Sequence, residues 1–182
     1  ENSGSVANDG QTQSNNDGSI NNGATWTSGP PLSKMNNSTF ENRTINLSSY
    51  SDNKLLSGSD IIISSSTVNG PGYIIADGNI TISSNSVING DIYIVCSGNL
   101  TVNNSQLGTS LTSVVVSYSR GSADYQNSTA YGLLISKGNS LQLNGMTHYG
   151  AVLNHSSTFT MASNSSVIGS VVSKYSVDFQ GN

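Results

Sequence analysis

The sequence is short of charge. Only 9% of its 182 residues are Asp, Glu, Lys or Arg, against about 25% in an ordinary soluble domain. Six basic and ten acidic residues leave a net charge of -4, and the basic ones are spread along the sequence. Nucleic-acid binding needs clustered Lys and Arg. We therefore expect no nucleic-acid partner.

Cysteine and long apolar runs are equally scarce. Cys96 is the single cysteine, which excludes an intramolecular disulfide. Its place in the apolar run 94–96 favours a buried core residue over a reactive thiol. No stretch approaches the roughly 18 consecutive apolar residues of a spanning helix, so we expect no membrane span.

What the sequence does contain is a repeat of about twenty residues. Gly-Asn followed by apolar-Thr-apolar occurs at 78–82 and again at 98–102, and a degraded copy occupies 138–143. Glycine marks the same step at Gly70, Gly90, Gly132, Gly150 and Gly169. Self-similarity at this period, built from strand-length units, is typical of a stacked solenoid.

The repeat contains two clear kinds of strand. Continuous apolar runs such as 73–75 and 92–95 are typical of strands covered on both sides. Strict alternation at 80–82, 100–102 and 159–161 predicts strands that are apolar inward and polar outward. With a weaker third set before the Gly turns, these predict an all-β, right-handed parallel β-helix of about 18–20 residues per coil.

The composition divides the chain into three parts. Residues 1–24 form an Asn/Gly/Ser-rich, low-complexity tail, and 25–58 form a transition or N-terminal cap region. The parallel β-helix is expected over 59–182. The sequence ends inside the last repeat, so we expect an open solenoid end whose unpaired strand edge invites a second copy.

Groups that could perform catalysis are few. Enzymes built on parallel β-helices need carboxylates projecting from adjacent coils, and aligning the repeats places Asp77 with Ser97 and Lys137 instead. His148 and His155 have no flanking Cys, Asp or Glu to complete a metal site, and both are expected to be exposed. We expect no enzymatic activity, no metal and no cofactor.

One stretch interrupts the strand pattern. Residues 117–130 show no clear alternation, and this predicts a loop projecting from the solenoid wall. Its aromatic and charged residues would serve as a ligand or partner loop, with a plain surface insertion as the alternative. These residues are Tyr118, Arg120, Asp124 and Tyr125.

Asparagine offers two further kinds of site. Sequons for N-glycosylation occur at Asn36, Asn37, Asn42, Asn46, Asn103, Asn127, Asn154 and Asn164. Asn79 and Asn99 also begin sequons, but they recur at the repeat step. With Asn139 we expect them to stack as an amide ladder between coils about 4.8 Å apart.

The coils from "GPGYIIADGNITISSNSVINGDIYIVCSGNLTV" to "YGAVLNHSSTFTMASNSSVIGSVVSKYSVDFQGN" resemble the β-solenoid heads of pilin-like and pilus-assembly proteins. They are also similar to the bactofilin type of self-polymerising β-helix. The resemblance implies a non-enzymatic, extracellular or cell-surface structural protein: a self-assembling subunit of a filament or pilus-like appendage, or an adhesin. Its partners would be copies of itself, through the open end or the N-terminal tail, and glycans or cell surfaces. A carbohydrate-binding or carbohydrate-active β-helix is the alternative.

Overall fold

The computed structural model describes residues 38–181, which form an all-β solenoid of about eight turns. Every pairing between named strands is parallel and joins equivalent residues of neighbouring coils, as in the pair Ile80–Ser83 and Leu100–Asn103. The parallel solenoid that the repeat predicts is therefore confirmed. The predicted tail, 1–24, lies outside the described residues, as do 25–37 of the predicted transition region.

The first sheet has eight strands and alternates strictly between inward and outward side chains. Its strands are β1 (Ser38–Glu41), β4 (Ile61–Ser64), β7 (Ile80–Ser83), β10 (Leu100–Asn103), β13 (Ala123–Gln126), β15 (Ser140–Asn144), β17 (Thr158–Ala162) and β19 (Val177–Gln180). We call its outer surface the polar face, because Thr, Ser, Asn, Gln and Asp predominate there.

The second sheet has eleven strands and bends around a corner to form two further faces. The ladder face comprises β2 (Thr44–Asn46), β5 (Thr67–Asn69), β8 (Val87–Asn89), β11 (Gln106–Leu107) and the first halves of β14 (Thr129–Ser136), β16 (Thr147–Asn154) and β18 (Ser166–Ser173). The third face comprises β3 (Lys54–Ser57), β6 (Gly72–Ala76), β9 (Ile92–Cys96), β12 (Val115–Ser119) and the second halves of β14, β16 and β18. Two short 3-10 turns, Leu47–Ser49 and Ser51–Asn53, lie between β2 and β3.

The core consists of inward side chains stacked in columns, a column being the residues at one register position in successive coils. Ile61, Ile80, Leu100 and Leu141 belong to one such column and are at most 1% exposed. Burying each aliphatic side chain of this size contributes about 1.5–3 kcal/mol. Because the same inward positions are buried in every coil, one short repeated sequence is enough to specify the whole wall of the solenoid.

Glycine forms the bend in the three long strands. Gly132, Gly150 and Gly169 occupy one column with φ of 127°, 142° and 152°, a region that disfavours side chains. A Cβ on Gly150 would overlap the carbonyl oxygen of Gly132, and one on Gly169 would overlap that of Gly150. The period of these glycines is therefore set by backbone geometry and close stacking.

The predicted β-helix starts at residue 59, but the parallel stack begins earlier in the chain. β1, β2 and β3 already pair in register with β4, β5 and β6. The first coil lacks the Gly-Asn phrase and carries the two 3-10 turns, so its strands do not resemble the later repeats. Within the described residues it is nevertheless a complete coil.

Candidate interaction surfaces

The outer surface of the third face is apolar, and we call it the apolar face. Its strands carry apolar residues on both sides, because inward and outward positions alternate along each of them. Exposure reaches 40% at Tyr73, 46% at Tyr93 and 43% at Leu153, and the two tyrosine rings stack with centroids 5.3 Å apart. The outward residues in chain order are Lys54, Leu56, Tyr73, Ile75, Tyr93, Val95, Val116, Tyr118, Leu133, Ile135, Ala151, Leu153, Ser170 and Val172.

This face is comparable in size with the largest apolar patch of a typical monomer. Seven strands at the usual spacing span about 29 Å, and two outward residues per strand give a width of about 10 Å. The resulting area, about 300 Å² in projection, lies at the lower end of the range of about 300–600 Å² for such patches, which are often functional. Lys54 is its only charged outward residue, and the ammonium lies 3.6 Å from the Asp52 carboxylate.

An asparagine ladder exists, but not at the predicted positions. On the ladder face, the Asn69 side-chain amide donates to Asn46 Oδ1 at 2.9 Å and the Asn89 amide donates to Asn69 Oδ1 at 3.4 Å. Further along the same column, Tyr131 and Tyr149 stack at 4.8 Å with their ring planes 8° apart. In the sequence, the signal for this ladder was an Asn-Gly pair at the end of β5, at 69–70, and another at the end of β8, at 89–90.

Asn79 and Asn99 form a different ladder, from side chain to backbone. The Asn79 backbone N–H donates to Asp60 Oδ1, that of Asn99 to Asn79 Oδ1, and that of Ser122 to Asn99 Oδ1. The predicted amide-to-amide stacking is wrong here, because each side-chain oxygen instead caps the turn of the next coil. Asn139 is out of register by one residue, since Ser140 aligns with the Ser122 position.

The prediction of a projecting loop at 117–130 is wrong, and a partner-binding role for its residues stays a prediction. Tyr118 lies in β12 and points outward on the apolar face, and Asp124 and Tyr125 lie in β13. Tyr125 is 1% exposed and its hydroxyl is 2.8 Å from Ser117 Oγ inside the core. Burial raises the pKa of the Tyr125 phenol. Ser117 points inward in β12, and this polar residue interrupts the apolar pattern from which the strand could have been predicted.

The irregular segment lies earlier, at residues 108–114. It connects β11 to β12 and contains an isolated antiparallel bridge between Ser110 and Ser113. Leu111 at its tip is 72% exposed. The additional length of this coil therefore lies between two strands, while 117–130 contributes β13 and parts of β12 and β14.

Several predicted glycosylation positions have a structural role. Asn42, Asn127 and Asn164 are exposed at coil corners with φ of 52°, 45° and 59°, a left-handed conformation that Asn tolerates better than most residues. Asn154 is 1% exposed and its amide donates to Ser173 Oγ at 2.9 Å, so it is not an acceptor in the folded chain.

Four further sequon asparagines are less accessible or outside the described residues. Asn46 is exposed but is engaged in the amide ladder. Asn103 has a buried side-chain oxygen. Asn36 and Asn37 lie outside the described range. Glycosylation of the accessible positions stays a prediction.

The two histidines have opposite environments. His155 is exposed as expected, but His148 is fully buried in β16, with Nε2 3.0 Å from the Ala151 carbonyl oxygen. Burial lowers the pKa of His148. The expectation of an exposed His148 is wrong because its column is the inward one that contains Ile88 and Leu107.

Cys96 is buried, as predicted, and burial raises the pKa of its thiol. It occupies an inward corner column in which the next coils place Ser119 and Ser136. Between residues 38 and 181, no group of three or more His, Cys, Asp or Glu side chains could hold a metal ion. No helix in this range is long and apolar enough to span a membrane.

The basic residues are less scattered than the sequence indicates. Arg120, Lys137, His155 and Lys174 occupy one exposed corner, immediately after β12 and the long strands β14, β16 and β18. Their backbone N–H groups donate in turn to Cys96, Ser119, Ser136 and Asn154 carbonyls at 2.8–3.1 Å. These contacts put the four residues in register in four successive coils. We call this line the basic ridge.

A shallow polar depression occupies another corner of the solenoid. Its lining includes Asn85, Asn104, Gln106 and Asn127, and no acidic or basic side chain contributes to it. It therefore offers no pair of groups for acid–base chemistry.

Comparisons with known proteins return no relative. No protein-family model matches the chain, no curated protein matches it, and no solved structure matches it. The resemblance to pilin-like heads and bactofilins stays a prediction.

Proposed function

We propose that this chain is a non-enzymatic structural protein whose copies associate through the apolar face. In this proposal it acts outside the cell, as a subunit of a surface filament or pilus-like appendage or as an adhesin. The observation that carries the proposal is the apolar outer surface of β3, β6, β9, β12 and the long strands. End-to-end pairing through the last coil and a role for the N-terminal tail stay predictions.

A second copy is the occupant that best fits this surface. The face is nearly free of charge, so two copies can meet without burying unpaired ions, which would be costly. It is also periodic at the strand spacing, so the same side-chain rows can interdigitate between copies. A surface of this kind is self-complementary, as a symmetric association requires.

The size of the face indicates the strength of one contact. Two faces of about 300 Å² each would bury about 600 Å² together, below the roughly 1,200–2,000 Å² of stable interfaces. A single contact is therefore expected to be weak. Stable assembly would depend on the repetition of this contact along an array.

The proposal is tested by removing apolar surface without adding charge. In the double variant Tyr93→Thr/Leu133→Thr, two central outward residues become polar, and the β-branched replacement keeps the strand propensity. Sedimentation velocity of the wild type, from micromolar to near-millimolar concentration, should show association that the variant lacks.

The ladder face supplies the matched control. Tyr131→Thr/Tyr149→Thr removes the stacked pair of outward rings on that face and should associate like the wild type. Circular dichroism would establish that both variants keep the fold. A wild type that stays monomeric throughout, or equal losses in the two variants, would contradict the proposal.

A further inference from the structure

The basic ridge concentrates most of the positive charge of the described chain. Three of its residues, Arg120, Lys137 and Lys174, are fixed cations, and the remaining Lys and Arg in 38–181 are Arg43 and Lys54. The whole chain has a net charge of -4. A row of exposed cations on an acidic protein attracts an anionic partner at that row and repels it elsewhere.

The ridge is regular because the coils fix it. The backbone hydrogen bonds between coils hold successive ridge residues at the strand spacing of about 4.8 Å. The rise of one sugar unit in an extended, 1,4-linked polysaccharide is close to this spacing. Because successive sugars in such a chain face alternate sides, a polymer with one carboxylate per sugar can align every second carboxylate with every second ridge residue, such as Lys137 and Lys174.

The two sides of the ridge also suit a sugar chain. Gly121 and Gly138 follow Arg120 and Lys137 and place no side chain beside these two cations on one side. On the other side, Tyr118 lies two residues before Arg120 and points outward in β12. An aromatic ring at such a position offers a flat apolar surface for the C–H face of a sugar.

From these observations we propose that the basic ridge binds a linear acidic polysaccharide lying along the solenoid axis. The cations of this site are separate from self-association, because the ridge lies at the corner of the solenoid and the apolar face on one side of it, and Tyr118 is the residue that belongs to both. A nucleic acid is less suited, because the ridge offers few cations to a dense phosphate chain. An anionic membrane would be better matched by a broad basic surface than by a row one residue wide.

The test measures binding of polygalacturonate to the full chain by isothermal titration calorimetry. Arg120→Gln/Lys137→Gln should weaken binding by about tenfold, since each exposed ion pair contributes a factor of a few. Arg43→Gln/Lys54→Gln removes the same charge away from the ridge and should change the affinity less than about twofold. The methyl-esterified polymer, which lacks the carboxylates, should bind much more weakly than the acid.

Three results would overturn the proposal: no binding by the wild type, equal losses in the two double variants, or tighter binding of single-stranded DNA or phosphatidylserine vesicles. The association variant Tyr93→Thr/Leu133→Thr keeps the ridge intact and should still bind polygalacturonate. Its binding therefore separates a failure of this proposal from a failure of self-association.

Discussion

Replacing Gly150 by Ala should destabilise the solenoid strongly. The φ of Gly150 is 142°, and holding a residue with a side chain in a sparsely populated region costs about 1–3 kcal/mol. The new Cβ would also overlap the Gly132 carbonyl oxygen, which belongs to the backbone and cannot rotate away. Strain and overlap together place the loss in the exceptional range, about 3–5 kcal/mol.

Gly145 supplies the comparison. Its φ is 63°, and a Cβ there would approach the Asn127 side-chain oxygen, which can move. Asn127, which occupies the equivalent corner of the preceding coil, itself has φ of 45°. Gly145→Asn should therefore cost no more than about 1 kcal/mol.

Thermal unfolding followed by circular dichroism measures both changes. At about 2–4 °C per kcal/mol for a chain of this size, Gly150→Ala should lower the Tm by about 10 °C or more. Gly145→Asn should lower it by only a few degrees. Equal shifts for the two variants would refute the argument from stacked backbones.

Two further predictions concern buried side chains. The pKa of His148 is lowered by burial, so at acidic pH the folded state binds fewer protons than the unfolded state. The free energy of unfolding should therefore fall as the pH drops below about 6.5, by at most about 1.4 kcal/mol per pH unit. His148→Leu should remove this pH dependence and His155→Leu should retain it; the same dependence in both variants would contradict the assignment. The Cys96 thiol is buried with a raised pKa and should react with a thiol reagent only after denaturant is added; rapid labelling of the native chain would refute this.

The architecture could be predicted because one period appears twice in the sequence. The Gly-Asn phrase fixed the coil length, and alternation around Thr81 and Thr101 distinguished inward from outward positions. Both signals are local, so they can be read without knowing which strands are neighbours.

The surfaces could not be predicted in the same way, because they depend on register between coils of unequal length. The corner between Ser136 and Ser140 has one residue more than the corner between Ser119 and Ser122, so Asn139 seemed to align with Asn99 although Ser140 occupies that column. Unequal steps of 17, 18 and 19 residues concealed the line from Arg120 to Lys174. Tyr125 was misassigned because it packs inward beside small Ala123, and a large polar side chain in the core has no distinctive pattern.

Covalent capture of associated copies tests the central claim most directly. The native cysteine is first removed by Cys96→Ser, which should be tolerated because β12 has a serine at the equivalent place. A single cysteine is then placed outward, either at Val116 on the apolar face or at Thr101 on the polar face. Under mild oxidation, Val116→Cys should form disulfide-linked dimers and Thr101→Cys should not. Dimers at equal rates from both positions, or from Thr101→Cys alone, would contradict association through the apolar face.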